Sequence, residues 1–243
     1  MTNEDRVDLQ PAFVLHQRAY RDTSAIVDVF SRDFGRLSLL AKGIKGAKNS
    51  KGALLQPFTL VSVSWLGRGE LKTLTGLEQK EIPPKFSQEN LLAALYLNEL
   101  LLRLLPKFDP CEAIFDDYAQ ALDLFQREQV LEPALRRFER HLLESLGYDL
   151  NLLFDVDNGD LIDEHKRYHF LPDQGPLKPH IDNIGKQQTY SGKSLIAFSN
   201  DDYSDPETLD TAKRITRLAL KPLLGPKPLK SRELFISMKR NQT

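Results

Sequence analysis

Pro83 and Pro84 divide the chain into two stretches whose apolar residues follow different periods, and that change limits the available folds more than any other feature. Before the pair, apolar and polar residues alternate; after it, apolar residues recur every three or four positions. Alternation marks a strand with one buried face, and a 3.6-residue period marks a helix. Residues 12–17, 24–30, 36–41, 57–66 and 70–77 read as five strands, clearest in the fourth, where Leu60, Ser62, Ser64 and Leu66 oppose Val61, Val63 and Trp65. Phe34-Gly35 and Gly67-Arg68-Gly69 supply turns. Five short strands with no helix pattern between them suggest a small closed barrel. An oligonucleotide-binding (OB) barrel fits the count, and an SH3-like barrel fits nearly as well.

Beyond the prolines, Ser87 is placed to cap a helix running to residue 105, with leucines at 91, 92, 95, 100–102, 104 and 105 around most of its girth. Pro106 and Pro110 end it. A second helix, 111–127, carries Ile114, Phe115, Tyr118, Leu122 and Phe125 along one stripe. Pro133 and Gly147 bracket a third, 134–146, with Leu135, Phe138, Leu142, Leu143 and Leu146 inward and Arg136, Arg137 and Arg140 outward. Residues 148–203 mix short apolar pieces with Asp, Gly and Pro, and are expected to be irregular or a small subdomain. Ser204-Asp-Pro-Glu207 reads as a capping box opening a helix to about residue 220. Pro222, Pro226 and Pro228 then break the chain before a short final helix, 232–238, capped by Ser231.

The formal net charge of −1 conceals a segregation. Residues 1–80 hold 12 basic against 8 acidic side chains, residues 81–212 hold 12 against 25, and residues 213–243 hold 9 against 1. Within 32–72, eight basic residues meet only Asp33 and Glu70, and glycines at 43, 46 and 52 make the basic run a loop rather than a helix. A glycine-rich cationic loop between strands suits a phosphate backbone. A lone lysine run is ordinarily solvated surface, but there is a second basic block: Lys213, Arg214, Arg217 and Lys221 at helical spacing, followed by Lys227, Lys230 and Arg232. The candidate DNA contacts are therefore Arg36, Lys42, Lys45, Lys48, Lys51, Arg68 and Lys72 from the first block, with Lys213, Arg214, Arg217, Lys221, Lys230 and Arg232 from the second. Phe34, Phe58 and Trp65 read as core rather than stacking surface. Arg136, Arg137 and Arg140, beside a leucine-rich face, read as intrahelical ion pairs or as a socket for an acidic, apolar peptide.

Catalytic chemistry finds little support. Cys111 is the single cysteine, so neither a disulfide nor a cysteine metal cluster is possible within the chain. The five histidines lack ligand spacing. Gly192-Lys193-Ser194 follows Gly185 by six residues where a phosphate-binding loop has four. Asp116-Asp117 and Asp201-Asp202 are adjacent and diverge on a helix. No enzyme activity and no cofactor are expected. The acidic N-terminus lacks the apolar region of a signal peptide, so a cytoplasmic, nucleoid-associated location is expected.

Ala12-Phe-Val-Leu-His, Gly35-Arg, Ala41-Lys-Gly, Lys51-Gly-Ala-Leu, Gln56-Pro-Phe and Gly67-Arg-Gly-Glu resemble the N-terminal half of the bacterial recombination mediator family RecO. Tyr96-Leu-Asn-Glu-Leu, Glu132-Pro-Ala-Leu-Arg-Arg-Phe-Glu and Ala219-Leu-Lys-Pro-Leu-Leu-Gly extend the likeness along nearly the whole chain, most weakly over 150–200. The resemblance implies an α+β protein: a five-stranded OB-fold barrel over 1–80, then a helical domain over 81–243, with an irregular 150–203 and basic C-terminal helices packing back. It implies binding of single- and double-stranded DNA, strand annealing, engagement of the C-terminal tail of single-stranded DNA-binding protein (SSB), and RecA loading together with RecR. Arg136 and Arg137 match the family's arginine pair and are the candidates for the SSB tail. The four-cysteine zinc site of some members has no counterpart here. The competing expectation is an adaptor whose acidic helical domain is the principal surface and whose DNA contact is incidental.

Overall fold

The computed structural model describes residues 6–44, 51–127, 130–179 and 188–241, apart from the side chains of Lys51, Lys239 and Asn241. In chain order the elements are β1 (Arg6–Tyr20), β2 (Ser24–Ser31), β3 (Gly35–Ala41), a single helical turn α1 (Lys51–Leu54), β4 (Leu60–Leu66) and β5 (Leu71–Gln79). There follow α2 (Gln88–Leu104), α3 (Glu112–Gln126), α4 (Leu131–Ser145), β6 (Arg167–Leu171), β7 (Gly175–Leu177), β8 (Tyr190–Ser191), α5 (Gly192–Ser199), α6 (Pro206–Leu224) and α7 (Lys230–Asn241).

The alternating half closes into a barrel of order β1-β2-β3-β5-β4. β1 runs antiparallel to both β2 and β4, and β3 runs parallel to β5. That is the OB connectivity, and it decides against the SH3-like alternative. β1 is longer than its apolar core suggests because it serves two neighbours: it pairs with β4 from Arg6 to Phe13 and with β2 from Ala12 to Tyr20, kinked by a bulge between Val14 and His16. Val14, Val27, Val29, Leu37, Leu39, Val61, Val63 and Trp65 fill the interior. Trp65 is 3% exposed, with Phe34 edge-on at 5.1 Å, and Phe58 meets Phe86 edge-on at 5.4 Å, so all three aromatics weighed from sequence belong to packing.

The chain forms two compact units, 1–129 with 228–243, and 130–227. In the first, α2 and α3 cover part of the barrel's outside. Phe13 lies 5.0 Å from both Phe115 and Tyr118, and Phe30 lies 5.6 Å from Phe115. Buried Asn98 donates to the Leu15 carbonyl at 2.7 Å and accepts from the Tyr118 hydroxyl, tying α2 to both β1 and α3. Gly35 turns β2 into β3 at φ +66, and a Cβ there would meet the Asp109 carbonyl at 2.1 Å, so only glycine fits. Ser87 caps α2 as expected. α7, however, starts before Ser231. The Glu99 carboxylate of α2 accepts from the Lys230 and Ser231 amides at 2.9 and 3.0 Å, placing an anion on the positive end of that helix.

In the second unit, α4 and α5 pack on α6, and β7-β6-β8 forms a three-stranded sheet within the stretch that sequence leaves irregular. α6 is capped by Asp205, one residue later than the Ser204 expected, with Pro206 at its first position. It also runs through Pro222 to Leu224 before Gly225 ends it at φ +64. The expected break at Pro222 is absent because a proline so near a helix end removes only one late hydrogen bond.

Candidate nucleic-acid interface

Strand register sorts the barrel's outward side chains into rows. Phe13, Phe30 and Arg36 align in one, on the side where Phe115 packs. His16, Asp28, Ser38 and Leu71 form the next, Arg18, Ile26, Leu40 and Thr73 the one after, and Tyr20 pairs with Ser24 at the hairpin end, close to Lys42 beyond β3. His16, Arg18, Arg21, Lys42 and Leu71 are exposed, and Arg21 stacks its guanidinium 5.3 Å from the Tyr20 ring centroid. The acid in these rows, Asp28, accepts from Ser38 at 2.6 Å and lies 3.9 Å from His16. The result is a surface of cations with small and apolar side chains between them, a combination that suits a polyanion carrying flat bases. Arg18 and Arg21 are missing from the sequence-derived set. Their signal is the two-residue spacing His16, Arg18, Tyr20, visible once β1 is extended past residue 17.

The residues expected to contact DNA fare differently. Lys42 and Arg68 are exposed, whereas Lys45, Lys48 and the side chain of Lys51 lie outside the described residues. Arg36 is half-buried and donates from Nε to the Leu105 carbonyl at 3.0 Å; that burial pulls its guanidinium below its ordinary pKa, partly opposed by Asp28. Lys72 donates to the Gly67 carbonyl at 2.7 Å and sits 5.2 Å from the Phe108 ring centroid. On α6, Lys213 is held by Glu132 at 2.8 Å, and Arg214 by Asp210 at 2.6 Å and Gln188 at 2.8 Å, while Arg217 and Lys221 are exposed. The side chains of Lys227, Lys230 and Arg232 are exposed.

The arginine cluster of α4 requires a correction. Arg136, expected to point outward, is 4% exposed. Its Nη1 lies 2.7 Å from Glu139, itself 1% exposed, and Thr216 of α6 donates to the same carboxylate at 2.5 Å. Ion pairing inside the fold, one of the two readings from sequence, accounts for where Arg136 sits. Arg137 is partly exposed, 3.8 Å from Asp201. Arg140, His141 and Tyr203 converge on Asp201 at 2.7, 3.0 and 2.9 Å. Burial alone would raise the Asp201 carboxyl, but the hydrogen bonds from His141 and Arg140 outweigh it and hold it well below the usual carboxylate range.

The Gly192-Lys193-Ser194 segment opens α5, yet its amides are already committed: Gly192 to Lys166 O at 2.8 Å, Lys193 to Glu164 O at 3.2 Å and Ser194 to Ser191 Oγ at 3.1 Å. None of these three amides is left to cradle a phosphate. Among the described residues, no three His, Cys, Asp or Glu side chains gather to hold a metal ion, and no helix is long and apolar enough to cross a membrane.

Barrel and helices together define an OB-fold protein with a helical C-terminal region and a cationic outer strand face. Residues 7–82 match the family model described as recombination protein O N terminal, and residues 86–233 match recombination protein O C terminal. The chain is 43% identical over 235 residues to a DNA repair protein RecO of Nitrosococcus oceani, covering 97% of this chain and 95% of that one. It is 43% identical over 233 residues to the RecO of Photobacterium profundum, covering 96% and 98%, and 42% identical over 228 residues to that of Pasteurella multocida, covering 93% of each. It belongs to the RecO family of DNA repair proteins.

Proposed function

We propose that the chain is a non-enzymatic recombination mediator. It binds single- and double-stranded DNA, anneals complementary strands, engages the acidic tail of SSB and, with RecR, promotes RecA loading. The observation that carries this proposal is the exposed set Arg18, Arg21 and Lys42 on the outer strands of an OB barrel, in a member of a DNA repair family. Cations there lower the repulsion between two phosphate backbones, so annealing needs positioning and charge but no bond-making group. The lysines at 45, 48 and 51 follow Lys42 in the chain and carry the same charge, and Arg217 and Lys221 on α6 are separate candidate phosphate contacts within the second unit. For the SSB tail, Arg137 is the accessible arginine, and buried Arg136 acts by fixing α4 against α6.

The test is fluorescence-monitored annealing of complementary strands, naked and SSB-coated. The wild type is expected to accelerate both. Arg18→Glu with Lys42→Glu should abolish the acceleration on naked strands, and Arg137→Ala should slow only the coated pair. Equal loss on both substrates from Arg137→Ala would contradict separate DNA and SSB sites.

A further inference from the structure

We propose that Phe108 is a stacking platform for an unpaired nucleobase at the β3–β5 seam of the barrel, giving this surface a preference for single strands over duplex. The proposal rests on the nucleic-acid function above and adds a selectivity to it. Lys107 bridges to Arg36 parallel to β3, so the segment after α2 takes, along the start of β3, the place that β5 takes two residues on, where Ser38 pairs with Leu71. The Phe108 amide donates to the Arg36 carbonyl at 2.9 Å. Gly35 lets this segment lie against the turn, since any Cβ at 35 would strike the Asp109 carbonyl.

Two observations together set Phe108 apart from the other described aromatic residues; Phe58 shares a left-handed φ, at +72, but is 7% exposed. The φ of Phe108 is +59, a left-handed conformation that bulky residues rarely adopt and that tends to persist where function retains it. The residue is also 41% exposed, so burial does not compensate the strain. The other phenylalanines near the barrel are packed away. The Lys72 ammonium stands 5.2 Å from the ring centroid, and Lys107, the preceding residue, is held by Glu70 at 2.9 Å. A base laid on the ring would bring its flanking phosphates within reach of these cations. A duplex, whose bases are already stacked and paired, cannot use the ring.

Fluorescence anisotropy across a salt series, with the full chain, tests this using three probes of equal length: oligothymidylate, an abasic deoxyribose-phosphate strand and a duplex. Phe108→Ala should weaken oligothymidylate binding about 5- to 150-fold. Affinity for the abasic strand and the duplex, and the salt slope, should stay unchanged. Phe108→Trp should restore binding; Phe108→Leu, which keeps the bulk, should not. Parallel loss on all three probes, or wild-type affinity in Phe108→Leu, would overturn the stacking role while leaving DNA binding intact. A wild type that binds none of the probes would overturn the underlying DNA-binding proposal and the stacking role with it.

Discussion

Arg136 and Glu139 are charges removed from water whose balance depends on each other. Taking away Glu139 leaves the guanidinium, at 4% exposure, with only the longer ion pair to Glu132 at 3.6 Å, so Glu139→Ala is expected to cost about 3–5 kcal/mol in urea unfolding, with Arg136→Met/Glu139→Leu recovering much of the loss. Asp201 makes a pH prediction. Its folded pKa lies below the unfolded value of about 3.9, so its stabilising contribution is fully present above pH 4 and fades as pH falls toward the folded value. The stability gap between wild type and Asp201→Asn should therefore be widest near neutrality and narrow below pH 4. The sequence offered ion pairing within α4 as one reading of Arg136, but it showed neither the burial of that pair nor the network on Asp201. Helical spacing put Arg136 on an outward face, but Thr216, eighty residues away, brings α6 over it.

At the level of elements, what could be read were the segments with enough turns or alternations to show a period: the five barrel strands, α2, α3, α4 and the body of α6. The sheet β7-β6-β8 could not be read, because strands of 5, 3 and 2 residues contain too few alternations to register. α7 was legible as a helix but not in its start, since its cap is supplied by Glu99 of α2 rather than by a local residue. The join between barrel and helices depends on Asn98. Asn98→Ala should strand the Leu15 carbonyl and the Tyr118 hydroxyl, costing about 1–3 kcal/mol for each orphaned group, whereas Tyr118→Phe removes only one partner and should cost less. Denaturant midpoints of the two variants check the order.

On the scale of the whole molecule, the near-neutral total is misleading and the segregation is informative. The composition pointed to two basic blocks, and the family likeness holds over nearly the full length. Which cations are exposed was not visible, because it depends on partners distant in sequence: Lys213 is taken up by Glu132 and Arg36 by the Leu105 carbonyl, while the side chains of Arg18 and Arg21 lie at the surface. If the outer face of β1–β3 is the DNA track, its phosphate contacts must appear in the salt dependence. The most direct measurement is the slope of log affinity for oligothymidylate against log salt, for the wild type and for Arg18→Ala/Arg21→Ala/Lys42→Ala. Each phosphate contact on a single strand contributes about 0.7 to the slope, so the triple variant should bind more weakly with a slope shallower by about 2. A triple variant with the wild-type slope and affinity would contradict the account.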